Sequence, residues 1–560
     1  MTSKQKLFFL GIVLITIFFR FYLIGQMPGG LFPDEAANGL DINSMQQGDL
    51  QPFYERGNGR EALFFYMLWG SVEVFGKGAW QHHIVSALVG TLAVIFTFLL
   101  TRRLILLADE DHDKNRANWI ALTAMFIMAV STWHIVLSRT AFRANLIPLF
   151  TTLTFYFLVS AVQTQEKVKR YVLSALLGAS FALGFYSYIA YRIMAPLLAI
   201  LVLWPMAVDA IRSPRFKNIK NYITPTLIAG LLFIIFISPI AHYFYTHPGS
   251  FVGRSGQVSV FNPELNQGDL IGTIAQVAGL SMKAYFWDGD LNWRHNISGQ
   301  PFLSLIISPF FAIGLLWTLI KAVRYTFLPH RHPKDWTYFL LAGWFTSMLI
   351  PVITTAEGIP HGLRAIGTIP VVFIISAIGI FAVKEWAQRI GHPYMLIISK
   401  WKQKLINNAV MVMYVCFVVA LFSQTYIVYF VEAYNSPENF YAFRSDLTVV
   451  SNYLNDSAKK GLVNKNNTYL VLDKFSIQTV DYLTSVDGKN PSNPINQPYK
   501  QVDPENSWEL KGLVSNDQII FTQSSVFDIK KFKEYHPNTY LYREDRNKFG
   551  QTVMAIYIVK

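Results

Sequence analysis

The sequence GGLFPDEAANG, residues 29–39, is the stretch from which the rest of the chain is interpreted. It follows the first apolar segment, at the point where a membrane-spanning helix would leave the bilayer. Asp34 and Glu35 form an acidic pair there, and ionisable groups at membrane depth are costly and commonly functional. The chain then stays largely polar until about residue 61. The stretch therefore predicts a first external loop that takes part in the chemistry.

Composition places the chain among membrane proteins. Of its 560 residues 52% are apolar and only 15% are charged, which is unusual for a soluble protein. The net charge of +13 lies mostly in short loops beside apolar segments, where basic residues set topology, so we do not infer nucleic-acid binding. The single cysteine, Cys416, excludes a disulfide framework within one chain.

Apolar runs long enough to cross about 30 Å of hydrocarbon recur along the first three quarters of the chain. They predict an all-α polytopic membrane protein with about eleven transmembrane helices. The predicted spans are residues 7–25, 80–101, 117–134, 144–162, 171–187, 192–208, 221–240, 301–321, 337–353, 364–383 and 409–430.

The distribution of lysine and arginine predicts the orientation of these spans. Basic residues concentrate in alternate loops, which places the N-terminus in the cytoplasm. The odd number of spans then places everything after residue 431 outside the cytoplasm. We expect the protein to lie in the plasma (inner) membrane. Two external loops are long, residues 26–79 and 241–300, and we assign both to a transmembrane domain of residues 1–432.

Residues 433–560 predict a second, smaller domain. Their composition shifts to Asn, Asp, Lys and Ser, and short apolar runs at 469–472, 518–521 and 555–559 are typical of strands. Residues 440–455 are predicted to be helical. We expect a small extracytoplasmic α/β domain, which contains no nucleophile elbow, phosphate loop or metal motif in its sequence.

The acidic pair allows two interpretations. Asp34 and Glu35 could cap an interfacial helix, since acidic residues near a helix N-terminus are stabilised by its dipole. Alternatively, a carboxylate at the membrane boundary could act as a general base that deprotonates an acceptor hydroxyl or amine.

Basic residues at external turns are candidates for binding a lipid phosphate. Two arginines four residues apart on a helix present their guanidinium groups on one face, where they can bind phosphate oxygens. Each candidate also allows a structural interpretation. Arg60 could form a local ion pair with Glu61, Arg139 and Arg143 could extend to the lipid headgroups, and His361 could be satisfied by backbone carbonyls. The phosphate candidates are Arg60, Arg139, Arg143, His361 and Arg364.

The end of the second long loop, residues 286–296, is a candidate for sugar or acceptor binding. Tryptophans beside polar side chains suit sugar stacking, although they could also form an interfacial aromatic belt. Asp288 and Asp290 are weak candidates for a divalent-cation site, because hard oxygen ligands suit Mg²⁺, Ca²⁺ or Mn²⁺. The candidate acceptor or sugar-binding residues are Trp287, Asp288, Asp290, Arg294 and His295.

Together these features resemble the C-type membrane glycosyltransferases of the protein O-mannosyltransferase and aminoarabinose transferase group. The resemblance covers roughly residues 7–430. Its most specific motifs are Phe32-Pro33-Asp34-Glu35, the stretch from Ser138-Arg139 through Arg143, and His361-Gly362-Leu363-Arg364.

The resemblance implies an inverting enzyme that transfers a single sugar from a polyprenyl-phosphate donor to a protein, lipid or envelope-glycan acceptor. Asp34 would be the catalytic base, and Glu35 would orient it or the acceptor. Charge stabilisation of the leaving phosphate requires no metal, although a divalent cation is compatible with the sequence.

Two departures from related enzymes bear on this interpretation. The Lys-Pro-Pro motif common in the group is missing near Gly59-Arg60-Glu61, which puts donor contacts there in doubt. No Trp-Trp-Asp motif follows residue 431, which argues against transfer of a preassembled glycan to asparagine.

Two other classes of protein would share some of these features. A transporter or flippase of a lipid-linked or anionic substrate would also need charged groups facing a cavity. The charged residues here cluster at one face, however, and the sequence shows no internal repeat. A membrane anchor for the C-terminal domain would not explain the acidic pair and the external arginines.

Overall fold

A computed structural model describes residues 1–57, 59–109, 112–212, 220–251, 258–327, 333–397, 400–484 and 497–560. The described chain is mainly helical. Its α-helices are α1 (Ser3–Phe21), α2 (Pro33–Gln46), α3 (Leu63–Phe75), α4 (Ala79–Ala108), α5 (Lys114–Ala129), α6 (Thr132–Arg139), α7 (Leu146–Gln163), α8 (Lys167–Gly184), α9 (Met194–Arg212), α10 (Lys220–Thr246), α11 (Pro263–Asn266), α12 (Leu270–Lys283), α13 (Ser308–Phe327), α14 (Trp336–Ile353), α15 (Ile369–Ile397), α16 (Lys400–Tyr426), α17 (Pro437–Ala442), α18 (Ser445–Lys459), α19 (Ile477–Thr484) and α20 (Ile529–Tyr535).

Two sheets contain the strands of the described chain. The first is a two-stranded antiparallel sheet in the first long loop. The second has five strands in the order β4-β3-β5-β7-β6. The strands are β1 (Phe53–Tyr54), β2 (Arg60–Glu61), β3 (Thr468–Val471), β4 (Lys500–Val502), β5 (Gln518–Thr522), β6 (Thr539–Arg546) and β7 (Thr552–Val559).

Each of the eleven predicted spans overlaps a helix, but fewer helices have the length and apolarity of a membrane span. Among the described residues seven helices meet both conditions, or eight if the bent pair α5 and α6 is counted as one span. Helices α1 and α8 carry three basic residues each within 18 or 19 residues, which lowers their apolarity. The count of eleven is therefore not confirmed.

The apolar helices expose much of their surface. In α10 and α16 only 6% of the most apolar window is buried within the protein. Such extensive apolar exposure would be unfavourable in water but is expected of helices that face lipid. This observation supports a multi-pass membrane protein.

The described chain divides into two compact units. The first contains residues 1–22 and 86–432, and the second contains residues 23–85 and 433–560. The first long loop, which the sequence analysis assigned to the transmembrane domain, thus lies in the same unit as the C-terminal residues. The functional division of the chain into domains at residue 432 stays a prediction.

Close helix packing in the first unit depends on small residues. A Cβ atom at Gly178 of α8 would meet the carbonyl group of Ala229 of α10. In the same way, a Cβ at Gly314 of α13 or at Gly379 of α15 would meet the backbone of the opposite helix. Small residues at helix crossings allow the backbones to approach, as is common in membrane proteins.

The second unit is built around the five-stranded sheet. Strand β3 is parallel to β4 and β5, whereas β7 is antiparallel to β5 and β6. Apolar clusters cover both faces: one includes Leu447, Leu470 and Ile520, and the other includes Phe521 and Phe532. The predicted strands at 469–472, 518–521 and 555–559 are confirmed, as is a small mixed sheet domain.

The first long loop packs against helix α19 within this unit. Leu31, Ala36 and Leu40 form a buried cluster with Tyr482. The Thr479 hydroxyl donates a hydrogen bond to the Leu31 carbonyl at 3.0 Å. Helix α2, which carries the acidic pair, is therefore anchored to the C-terminal residues.

Candidate active site

The acidic pair lies in the first turn of α2, and its two members have different environments. Pro33 occupies the first turn, where its missing N–H is not needed. Asp34 is exposed, whereas Glu35 is fully buried. The Glu35 carboxylate accepts a hydrogen bond from the Phe32 backbone N–H at 2.9 Å, which caps the helix. Glu35 thus fixes the start of the helix that presents Asp34.

A buried histidine contacts the same carboxylate. His83 Nε2 lies 3.4 Å from Glu35 Oε1, and both side chains are fully buried. Sequence reasoning missed His83 because it lies inside an apolar run, where a histidine most commonly has a packing role. Its contact with Glu35 joins α2 to the start of α4 within the second unit.

A buried ion network lies further along α2. Arg60 donates to the carboxylate of Asp41, and its Nη1 donates to Asn38 Oδ1 at 2.7 Å. Arg56 Nε also donates to Asp41, at 2.8 Å. Burial raises the pKa of Asp41, whereas the positive charges of Arg60 and Arg56 oppose this rise. The ion-pair partner of Arg60 is therefore Asp41, which the sequence analysis did not identify.

Arg139 and Arg143 lie in the first unit and have different surroundings. Arg139 is fully buried; its Nη1 donates to the Phe19 carbonyl at 3.1 Å, and its guanidinium lies 5.4 Å from the ring centroid of Tyr429. Arg143 is half-buried and lies 5.2 Å from the ring centroid of Tyr188. Their role in phosphate binding stays a prediction.

Two cavities in the described part of the first unit are lined by predicted site residues, and Arg364 lines the larger of these two. This cavity has a volume of about 820 Å³, and Tyr188, Asn262 and Thr355 also line it. Arg364 donates to the Glu357 carbonyl at 2.5 Å and to the Glu357 carboxylate at 3.1 Å. The structure thus places one of the predicted phosphate-binding arginines at a cavity wall.

Asp290, His295 and His361 form one cluster in the same unit. Asp290 Oδ2 lies 3.0 Å from His295 Nδ1 and accepts a hydrogen bond from the Gly362 N–H at 2.7 Å. The rings of His295 and His361 are stacked, with centroids 4.5 Å apart. Burial lowers the pKa of His295, and Asp290 opposes this effect. The cluster therefore combines residues with two predicted roles. His361 is a candidate for binding the phosphate, whereas Asp290 and His295 are candidates for binding the sugar or the acceptor.

The remaining residues of the 286–296 stretch lie nearer the surface. Trp287 is 63% exposed, and Asp288 forms an ion pair with Lys283. Both line a smaller cavity of about 270 Å³. Arg294 is half-buried, and its Nε donates to Asn292 Oδ1 at 3.2 Å. Of the two weak metal candidates, only Asp290 belongs to the histidine cluster.

Comparison with known proteins supports the resemblance that the motifs indicated. Residues 62–243, about a third of the chain, match the family model described as dolichyl-phosphate-mannose-protein mannosyltransferase. A search of curated proteins found no match.

Solved structures share the fold over nearly the whole chain. ArnT from Cupriavidus metallidurans, solved with undecaprenyl phosphate, aligns with a TM-score of 0.56 at 11% identity, covering 99% of this chain and 98% of ArnT. The oligosaccharyltransferase AglB from Archaeoglobus fulgidus, solved with an inhibitory peptide and a dolichol-phosphate, aligns with a TM-score of 0.52 at 12% identity, covering 100% of this chain and 74% of AglB. The chain is therefore a multi-pass membrane protein that resembles the C-type glycosyltransferases in fold.

Proposed function

We propose that this protein is an inverting membrane glycosyltransferase that moves a single sugar from a polyprenyl-phosphate donor to a protein, lipid or envelope-glycan acceptor outside the cytoplasm. The observation that carries the proposal is the full-length fold similarity to ArnT, a protein solved with a polyprenyl phosphate. The family match over residues 62–243 supports the same class of donor.

The surroundings of Asp34 support a role as general base. A base must reach the proton that it abstracts, within about 3 Å in the bound complex. The Asp34 side chain is exposed, whereas Glu35 is buried and fixes the helix start through the Phe32 N–H. Asp34 would take the proton of the attacking hydroxyl or amine, while the bond between the anomeric carbon and the phosphate oxygen breaks.

Arg364 is the arginine best placed to neutralise the departing phosphate. Leaving-group charge is stabilised most by donors that are already in position. Arg364 lines the cavity of about 820 Å³, and its contacts with Glu357 hold the guanidinium there. Arg143, which is half-buried, is a second candidate, whereas Arg60 and Arg139 are almost fully buried.

The decisive experiment measures polyprenyl phosphate released from a panel of labelled polyprenyl-phosphate sugars by purified protein in lipid discs. Asp34→Asn keeps the shape of the side chain and removes its basicity. We expect turnover to fall by about 10²- to 10⁴-fold, the usual contribution of a general base, with donor binding retained. Asp49→Asn is the matched control, because Asp49 is an exposed carboxylate in the same loop.

The outcomes separate the possible functions. Normal turnover by Asp34→Asn would refute the assignment of the base. Movement of intact donor across the bilayer of vesicles, without release of sugar, would instead indicate a transporter.

A further inference from the structure

The cluster of Asp290, His295 and His361 brings a carboxylate and two imidazoles to one point in the first unit. One donor atom from each residue lies within 4.8 Å of the other two. Asp290 and His295 are buried at 5% and 7% exposure, and His361 is half-buried. Among the described residues this is the one group of three such side chains with donor atoms so close together.

The spacing of the donor atoms is close to that of a metal site. Ligands about 2.1 Å from a tetrahedral Zn²⁺ lie roughly 3.4 Å from one another. Asp290 Oδ2 and His295 Nδ1 are 3.0 Å apart, and Asp290 Oδ2 and His361 Nδ1 are 4.0 Å apart. The rings of His295 and His361 are stacked, so the His361 ring must turn as well as approach for both nitrogens to face one ion.

The donor types select among metals. Ca²⁺ and Mg²⁺ require several oxygen ligands, and this cluster offers one carboxylate. Two imidazoles with a carboxylate are typical of sites for Zn²⁺ and neighbouring transition metals, with a further position open to water or another ligand.

We propose that Asp290, His295 and His361 bind a single transition-metal ion of the Zn²⁺ class. The site does not depend on the proposed sugar transfer. Asp290 and His295 come from the loop between α12 and α13, and His361 comes from the turn after α14. The ion therefore connects two loops of the first unit, one of which leads into Arg364 at the wall of the larger cavity.

The hydrogen bonds already in the cluster are consistent with this site. Metal-binding carboxylates and histidines are commonly held by further hydrogen bonds. The Gly362 N–H donates to Asp290 Oδ2, and the Trp133 indole N–H donates to the Gly362 carbonyl at 3.2 Å. These bonds hold the two loops in register, and a bound ion would replace the bonds from His295 Nδ1 to Asp290 Oδ2 and from the Arg364 N–H to His361 Nδ1.

The test uses the full-length protein in detergent, without a polyhistidine tag, after removal of metal with a chelator. Calorimetry measures the binding of Zn²⁺ alone, and elemental analysis measures the metal retained after dialysis. We expect one Zn²⁺ per chain, with Mg²⁺ in millimolar excess unable to compete. His361→Ala and His361→Gln should weaken binding by more than about 100-fold, because loss of even an outer hydrogen-bond partner costs 10- to 100-fold.

Control variants separate loss of the ligand from loss of the fold. His247→Gln and Glu264→Gln remove an exposed imidazole and an exposed carboxylate from the same unit, and should bind Zn²⁺ as the wild type does. Zn²⁺ should raise the melting temperature of the wild type but not of the His361 variants, which should melt as the wild type does in chelator. Failure of the wild type to retain Zn²⁺, or unchanged Zn²⁺ affinity in a correctly melting His361→Ala, would overturn the site.

Discussion

Arg60 illustrates how burial changes the role of a single charged side chain. Its guanidinium donates to Asp41 and to Asn38, and it lies 5.2 Å from the ring centroid of Phe65. A buried charge without its partner is strongly unfavourable, whereas an exposed ion pair contributes little. Arg60 therefore has a structural role in positioning α2, whether or not it also contacts a phosphate.

Replacing Arg60 tests this structural role. Arg60→Ala leaves the buried Asp41 carboxylate with less compensation, so we expect the free energy of unfolding to fall by about 3 kcal/mol. Arg56→Ala is the matched control: it contacts the same carboxylate, but its side chain is 36% exposed. Its loss should cost less than about 1 kcal/mol. Thermal unfolding in detergent measures both, and equal effects of the two substitutions would contradict the distinction.

Helix α2 shows how an acidic helix can be held firmly by packing along most of its length. Eleven of its residues are buried, although its sequence is not strongly apolar. The close approach of Tyr482 from α19 requires the glycine at position 39, since a Cβ there would meet the tyrosine ring. The exposed Asp34 is thus carried by a helix that is packed tightly along most of its length.

A pair of glycine substitutions tests this packing. Alanine normally stabilises a helix interior by about 1 kcal/mol relative to glycine. Gly39→Ala should nevertheless lower the free energy of unfolding, by roughly 1–3 kcal/mol, because it overpacks the contact with Tyr482. Gly70→Ala in α3, where a Cβ would meet nothing within 4 Å, should leave stability unchanged or raise it. Melting curves that show the same sign for both would contradict the inferred contact.

At the scale of the whole molecule, the orientation in the membrane decides which substrates can reach the second unit. Basic residues favour the cytoplasmic side, and their distribution predicts a cytoplasmic N-terminus and an extracytoplasmic C-terminal domain. The proposed transfer reaction requires this orientation, because Asp34 belongs to the second unit and the acceptor lies outside the cytoplasm.

Labelling with a membrane-impermeant maleimide tests the orientation. In a Cys416→Ser background, Ser515→Cys introduces a thiol at an exposed position of the second unit, and Ser3→Cys introduces one at the N-terminus. We expect Ser515→Cys to be labelled in intact spheroplasts and Ser3→Cys only after lysis. The reverse pattern would require the opposite orientation and would exclude an external acceptor.

The sequence predicted the regular elements well where their signal is local. All eleven predicted spans overlap helices, because the length of an apolar run is itself the property that the bilayer requires. The three predicted strands are the three central strands of the larger sheet, which are buried and apolar. Edge strands β4 and β6 were not predicted, since most of their side chains are exposed and polar.

The sequence was less informative about the partners of charged residues. The paired character of Asp34 and Glu35 was evident, but their separation into one exposed and one buried carboxylate was not. Asp288 and Asp290 looked equivalent, yet one pairs with Lys283 at the surface and the other contacts His295. Burial distinguishes these residues. The sequence does not predict it, because the burial of an individual polar side chain in a loop produces no periodic pattern.

The amino-acid sequence by itself determined the membrane class, the positions of the helices, the central strands and the acidic start of α2. These properties follow from composition, run length and neighbouring residues, which the chain carries locally. The tertiary structure decided which distant groups meet: Arg60 with Asp41, Glu35 with His83, and His361 with Asp290 and His295. These contacts depend on how helices and loops pack, because the partners come from separate elements whose approach is fixed only when the chain is folded.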